Sequence, residues 1–294
     1  MRALIGSLLW ASREGRPDGA GEISLLAGRV ESSTVEDLRL CNGLLARMLA
    51  TPYEIKIWSI PMENLRMLLI GDASLHNVPG GKSQVGYCVF FCDDALSRGE
   101  DARISLVAWR SHGSSRICNS TLHSEAYALS EGLAECEWIT SLFSSLTAHQ
   151  YALRRRAQHH RTVRLTALFR EPESEKVKLT AISDAKSLYD NLMKESTKGE
   201  RRACLEICSA RQSLAELGGA IRWVPHYRNP VDCLTKIKGN SEPFLRMLRR
   251  GRFQLTAEDD ELKEREAYRR KTGMRNPRPN VVAGLRDQED EEPT

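Results

Sequence analysis

Leu65-Arg66-Met67-Leu68-Leu69-Ile70-Gly71-Asp72-Ala73 reads as a strand whose apolar run closes on a carboxylate. Burying an ionised carboxylate is costly unless something positive meets it, so an acid in that place is a poor structural choice. Three more acids stand in comparable places. Glu125 lies inside the apolar stripe of a helix, Asp184 ends Val177-Lys178-Leu179-Thr180-Ala181-Ile182-Ser183, and Asp232 closely follows Trp223-Val224-Pro225-His226-Tyr227-Arg228-Asn229-Pro230. Four acids at element ends point to convergence on a shared divalent cation. Mg²⁺ is favoured because every ligand is an oxygen.

Working outward from that run, the chain alternates strands and helices. Residues 3–50 suit amphipathic helices broken at Gly15-Arg16-Pro17-Asp18-Gly19. Residues 53–58 read as a strand ahead of the decisive one. Gly80-Gly81 marks a turn before a strand over 85–92, and a loop leads to another over 103–110. Consecutive strands rich in Val, Tyr, Phe and Trp imply an antiparallel meander. A long helix follows over 121–146, with Leu122, Ala126, Leu129, Leu133, Cys136, Ile139, Phe143 and Leu146 at steps of three and four. Glu125 falls within that stripe, so its carboxylate either snorkels at the stripe's edge or has a function. Further on come a strand at 177–183, helices near 185–194 and 199–217, a Gly218-Gly219 C-cap, and a strand at 221–224. Pro230 then opens a helix carrying Asp232.

Composition bounds the rest. A chain of 294 residues can bury a substantial core, and its net charge of +4 does not by itself argue for nucleic-acid binding. The basic residues are unevenly placed: from Tyr151 to Arg170 there are six arginines, His159-His160 and no acid, which reads as a solvated surface insertion over 147–176. Eight scattered cysteines form no CxxC pair. Cys204 and Cys208 share a helix face but lack further zinc ligands, and reduced thiols in an intracellular protein are the expectation. No run approaches the length of a membrane span. The apolar start after Met1-Arg2 imitates a short signal peptide and is read as a helix start. The expected location is cytoplasmic or nuclear, not secreted.

The local wording adds a resemblance. Ser124-Glu125-Ala126-Tyr127-Ala128-Leu129-Ser130-Glu131 resembles the STEAEYIALSE-type segment of copia-type LTR retrotransposon polyproteins. Val85-Gly86-Tyr87-Cys88-Val89-Phe90-Phe91 is similar to that family's SGYVFF strand, and Val107-Ala108-Trp109-Arg110-Ser111 to its ISWSS strand. Val224-Pro225 with Val231-Asp232-Cys233-Leu234-Thr235-Lys236 is similar to its YVP…ADILTK ending. Leu4-Ile5-Gly6-Ser7-Leu8-Leu9-Trp10 and Gly15-Arg16-Pro17-Asp18 resemble the LIGSLLYL…TRPD segment that closes its reverse transcriptase. Roughly residues 3–255 are covered. The sequence departs from the family in three ways: it has no YxDD-type polymerase motif, Ala185 stands where Asn commonly follows the third acid, and the 147–176 insertion lengthens the gap between the second and third acids. These departures suggest an element fragment, a split gene or a decaying copy.

The resemblance implies an α/β (α+β mixed-sheet) ribonuclease H-like fold. Three regions are expected: a helical remnant of the reverse transcriptase thumb or connection over 1–60, the ribonuclease H-like domain over 61–240, and a basic then acidic, largely disordered tail over 241–294. It further implies hydrolysis of the RNA strand of RNA–DNA hybrids, with Asp72, Glu125, Asp184 and Asp232 holding two Mg²⁺ ions, or Mn²⁺ in their place. His226 is a candidate proton shuttle. Lys186, Arg201, Arg202 and Arg228 are candidate contacts to the nucleic-acid backbone, and a reverse transcriptase in cis or trans is a candidate partner. The alternative is a catalytically inactive remnant that binds nucleic acid or another protein. An integrase or transposase fits less well, since no HHCC module precedes the meander and the second acid lies on the first long helix after it.

Overall fold

The computed structural model describes residues 1–147, 177–194 and 201–256, with four helical positions at 260, 263, 267 and 271. The arginine-rich insertion, with Arg154, Arg155, Arg156 and His159-His160, lies outside the described residues apart from Thr147. Residues 1–256 form one compact unit.

The centre of that unit is β1 (Leu65–Val78), which pairs antiparallel with β2 (Lys82–Asp93) and parallel with β4 (Leu179–Ser183). β2 pairs antiparallel with β3 (Ala102–Gly113), giving the expected meander, and β5 (Ala220–Trp223) lies parallel to β4. A two-residue strand, β6 (Arg252–Phe253), closes the far edge, so the order is β5-β4-β1-β2-β3-β6. Three antiparallel strands extended by two parallel ones, with helical crossovers, is the ribonuclease H-like arrangement. Because β1 is central it is covered on both sides. Leu68 and Ile70 face one apolar layer and Met67 and Leu69 the other, as alternate side chains of a strand must.

The second layer is made by α4 (Thr121–Thr147), α5 (Lys186–Met193) and α6 (Arg201–Glu216), which bury Leu129, Leu133, Leu188, Ile207 and Leu214 against the sheet. At the end of α6, Gly218 takes φ +59 and the Gly219 amide returns to the Leu214 carbonyl, the expected C-cap. At the β1–β2 turn, Gly80 and Gly81 both take positive φ, which only glycine adopts without strain. The N-terminal helices α1 (Arg2–Glu14), α2 (Ala20–Ala27) and α3 (Val35–Ala50) bury a small cluster of their own, including Ile5, Leu8, Ile23, Leu26 and Leu44. Ala20 of α2 joins the first sheet layer instead.

Three expectations are corrected. Residues 53–58 form no strand, although Tyr-Glu-Ile-Lys-Ile-Trp alternates. β6 pairs with the outer edge of β3 at Ala102 and Arg103, and the segment docks by isolated bonds, from the Trp58 amide to Ser105 Oγ and from Arg103 to the Ser59 carbonyl. Pro230 opens no full helix: Asp232–Leu234 is a single 3₁₀ turn. Residues 242–253, assigned to a largely disordered tail, form α7 (Glu242–Arg250) and β6, and Phe244, Leu245, Met247 and Leu248 are buried. The apolar side chains of α7 recur at helical spacing between its charges, so one face packs while the other carries Arg246, Arg249 and Arg250.

Candidate functional site

The parallel pairing of β1 with β4 sets Ile70 opposite Ile182. Continuing that register by two residues brings Asp72, midway along β1, beside Asp184 at the end of β4, so two acids more than a hundred residues apart meet on neighbouring strands. Asp72 shares its strand face with Leu68 and Ile70, the side on which the Asp232–Leu234 turn packs. Glu125 sits in the second turn of α4, where its carboxylate accepts from the Ala73 amide of β1. Oxygens of Asp72, Glu125 and Asp184 all lie within 4.8 Å of one another. The three acids are therefore brought together from two strands and a helix.

Crowding and burial act on them in one direction. Asp72 is 3% exposed, and burial together with the Asp184 carboxylate pushes its pKa up to about 8, although the Thr235 hydroxyl donates to its Oδ2. Glu125 is driven well above the usual carboxylate range by burial and by its neighbours Asp72 and Asp184. Two acids that resist ionisation beside a third need a cation to charge fully.

Asp232 is placed differently. It stands outside the three-acid cluster, and its Oδ1 accepts from Lys236 Nζ and lies 3.5 Å from His226 Nε2. His226 in turn donates from Nδ1 to Oδ2 of Asp184 at 2.6 Å, and Lys236 Nζ lies 3.3 Å from its Nε2. The bond to Asp184 raises the imidazole pKa. His226 thus links the third and fourth acids while its side chain stays 65% exposed.

The candidate backbone contacts scatter. Lys186 bonds Asp190 at 3.0 Å and lies over the rings of Tyr189 and Trp223, and the Trp223 indole donates to the Asp184 carbonyl, so Lys186 flanks the site. Arg228 reaches the Thr256 hydroxyl. Arg201 and Arg202 are exposed at the start of α6. Two residues with contacts in the site were missed: Thr235, bonded to Asp72, and Lys236, bonded to Asp232. Both follow Asp232 in the Asp232-Cys233-Leu234-Thr235-Lys236 stretch, where the resemblance already drew attention.

Solved ribonucleases H are among the structures this chain resembles. RNase H1 from the halophilic archaeon Halobacterium salinarum is 14% identical over 57% of this chain and 93% of its own, with a TM-score of 0.36. The N-terminal RNase H domain of a Mycobacterium tuberculosis protein is 12% identical over 62% and 97%, also at 0.36. LC11-RNase H1, isolated from compost by a metagenomic approach, is 10% identical over 56% and 87%, at 0.34. No protein-family model matches the chain, and no curated protein does. At such identities and scores the fold assignment rests on the strand order and register above, not on these superpositions. All eight cysteines are free thiols, and no helix among the described residues is long and apolar enough to cross a membrane.

Proposed function

We propose that the chain is a ribonuclease H of a copia-type retroelement, hydrolysing the RNA strand of RNA–DNA hybrids. The observation that carries this reading is the approach of Asp72, Glu125 and Asp184 to within 4.8 Å. The donor set fits a hard divalent cation: the ligands are all oxygens, and the bonds that Asp72 and Glu125 receive, from a hydroxyl and an amide, carry no full charge to offset their burial. Asp72, Glu125, Asp184 and, after leaving Lys236, Asp232 would hold two Mg²⁺, or Mn²⁺ in their place. Held by these residues, such a cation would supply activation of a water and stabilisation of charge at the leaving 3′ oxygen.

The chain's own residues supply the rest. Thr235 orients the Asp72 carboxylate through its hydroxyl. His226, exposed and tethered at Nδ1 to Asp184, can hold a proton there and deliver it toward solvent or a leaving oxygen as its ring turns. Lys186, Arg201, Arg202 and Arg228 would meet phosphates, with 2′-hydroxyls distinguishing the RNA strand. Helices α1–α3 correspond on this reading to the end of a reverse transcriptase, which would be a partner in cis or trans.

The test is cleavage of an end-labelled RNA–DNA hybrid with Mg²⁺, beside Asp72→Asn and single-stranded RNA. Hybrid-specific cutting is expected, with a loss on the order of 10³-fold in the variant. One observation favours the second reading, a catalytically inactive nucleic-acid-binding remnant: Asp232 is engaged by Lys236 and not by the acid cluster. Folded protein that binds hybrid in a salt-sensitive way and never cuts it would decide for that reading.

A further inference from the structure

Helix α2 presses its backbone onto the turn that carries Asp232. A Cβ on Gly21 would lie 2.3 Å from the Cys233 carbonyl oxygen and 2.5 Å from the Leu234 carbonyl carbon, distances that no real Cβ keeps. On the sheet side, a Cβ on Gly86 of β2 would lie 2.6 Å from Leu234 Cβ. The turn is therefore gripped between two backbones, each approaching at a glycine. Polar bonds secure it from the sheet: Ser111 Oγ donates to the Leu234 carbonyl at 2.5 Å, and Asn77 Nδ2 to the Thr235 carbonyl at 2.8 Å. Where the chain leaves the turn, Lys238 takes φ +56, a left-handed conformation that is strained for a residue with a side chain. Its amide donates to Oε2 of Glu22 on α2 at 3.2 Å, and Arg47 of α3 bonds the same oxygen at 2.5 Å. Glu22 is buried, and its Oε1 finds no hydrogen-bond donor among the described residues. A buried carboxylate with one idle oxygen is an expensive way to build a helix, which argues that the amide it holds matters.

We propose that α2 is a positioning element of the metal centre. Gly21 lets it approach, Glu22 anchors the exit of the turn, and together they hold Asp232 at the site and the Thr235 hydroxyl against Asp72. The proposal rests on reading the acids as a metal centre, and it makes the N-terminal helices part of the chemistry, not a passenger from a neighbouring domain. Both are positioning residues, since neither touches the acids.

The full chain is titrated with Mn²⁺ by electron paramagnetic resonance, and hybrid cleavage kinetics are measured alongside. Gly21→Ala is expected to weaken Mn²⁺ binding and lower kcat by roughly ten- to a hundredfold, the size of effect that supporting contacts around a metal have, with KM for hybrid unchanged. Gly6→Ala, at an open position on α1, serves as the control and leaves all three unchanged. Folded Gly21→Ala with wild-type Mn²⁺ affinity and kcat overturns the proposal. Should that variant fail to fold, Glu22→Ala decides: weaker Mn²⁺ binding recovered by Glu22→Gln, which keeps an acceptor for the Lys238 amide, supports the brace, and wild-type affinity in Glu22→Ala refutes it. Wild-type protein that binds no Mn²⁺ defeats the metal-centre reading itself, a result separate from variants that match a metal-binding wild type.

Discussion

Replacing Asp72 with Asn raises the melting temperature of the metal-free protein at about pH 8, although it removes the central acid of the site. The folded carboxyl titrates at about 8 against 3.8 for the unfolded chain. Between those values the folded state keeps a proton that the unfolded state has released, so raising the pH draws protein toward unfolding. The slope approaches about 1.4 kcal/mol per pH unit for one such group. For this group alone, the contribution to stability is greatest below about pH 4, where both states are protonated, and the penalty is complete above about pH 8. Asn keeps the shape and an acceptor for the Thr235 hydroxyl but cannot ionise, so that slope is absent. Glu125, also pushed up, adds to the decline in both proteins. His226, whose raised pKa stabilises the fold at low pH and ceases to do so as it deprotonates, slopes the same way, so the difference between wild type and variant carries the result. Melts in EDTA should separate the two by about 5 °C or more at about pH 8 and converge toward about pH 4, taking about 2–4 °C per kcal/mol for a chain of this size. Saturating Mg²⁺ should then stabilise wild type by about 2–3 kcal/mol and the variant by much less. Parallel pH curves, or a variant that melts below wild type at the alkaline end, would contradict this account of the cluster.

Gly132→Val should damage both stability and cleavage from a position that is not itself one of the clustered acids. A Cβ on Gly132 would lie 2.6 Å from Leu69 Cδ1, and Leu69 is fully buried in β1. This glycine lets α4 lie close enough to β1 for Glu125, seven residues earlier, to reach the Ala73 amide. Alanine would gain helix propensity and ask only a flexible leucine to shift. Valine adds two branches in a filled layer, an overpacking cost of about 1–3 kcal/mol, which is a fall of about 2–12 °C in Tm. Because α4 carries Glu125, hybrid cleavage should fall by a further factor of about ten beyond any loss of folded protein. Leu69→Ala should recover part of both losses in the double variant, since the two side chains contest one space. Additive losses in the double variant, or a Val variant with the wild-type melt, would show that α4 is not seated at this contact.

The parts of the site visible in sequence are those where an acid closes an apolar run. An acid closing an apolar run is conspicuous, which is why Asp72 and Asp184 stood out, and the parallel register brings the two together. Glu125 was ambiguous on periodicity alone, because an acid at the edge of a helical stripe can snorkel; its bond to Ala73 depends on how closely α4 approaches β1. The engagement of Asp232 by Lys236 and of Asp184 by His226 has no signature beyond ordinary surface residues at short spacing. The grip of α2 on the Asp232 turn joins residues more than two hundred positions apart, and nothing in either segment announces the other. In residues 242–253 the signal was present but outweighed: Phe244, Met247 and Leu248 have helical spacing, yet the surrounding arginines made the segment read as tail.

The measurement that tests the metal centre most directly is a calorimetric titration of the full chain with Mg²⁺ near neutral pH, repeated in buffers of different ionisation enthalpy. If Asp72 and Glu125 are held protonated by burial and mutual repulsion, binding must displace protons, on the order of one per chain. The expected result is saturable binding with that release, abolished in Asp72→Asn. Binding without proton release, or identical binding in the variant, would show that these acids are not the seat of the metal.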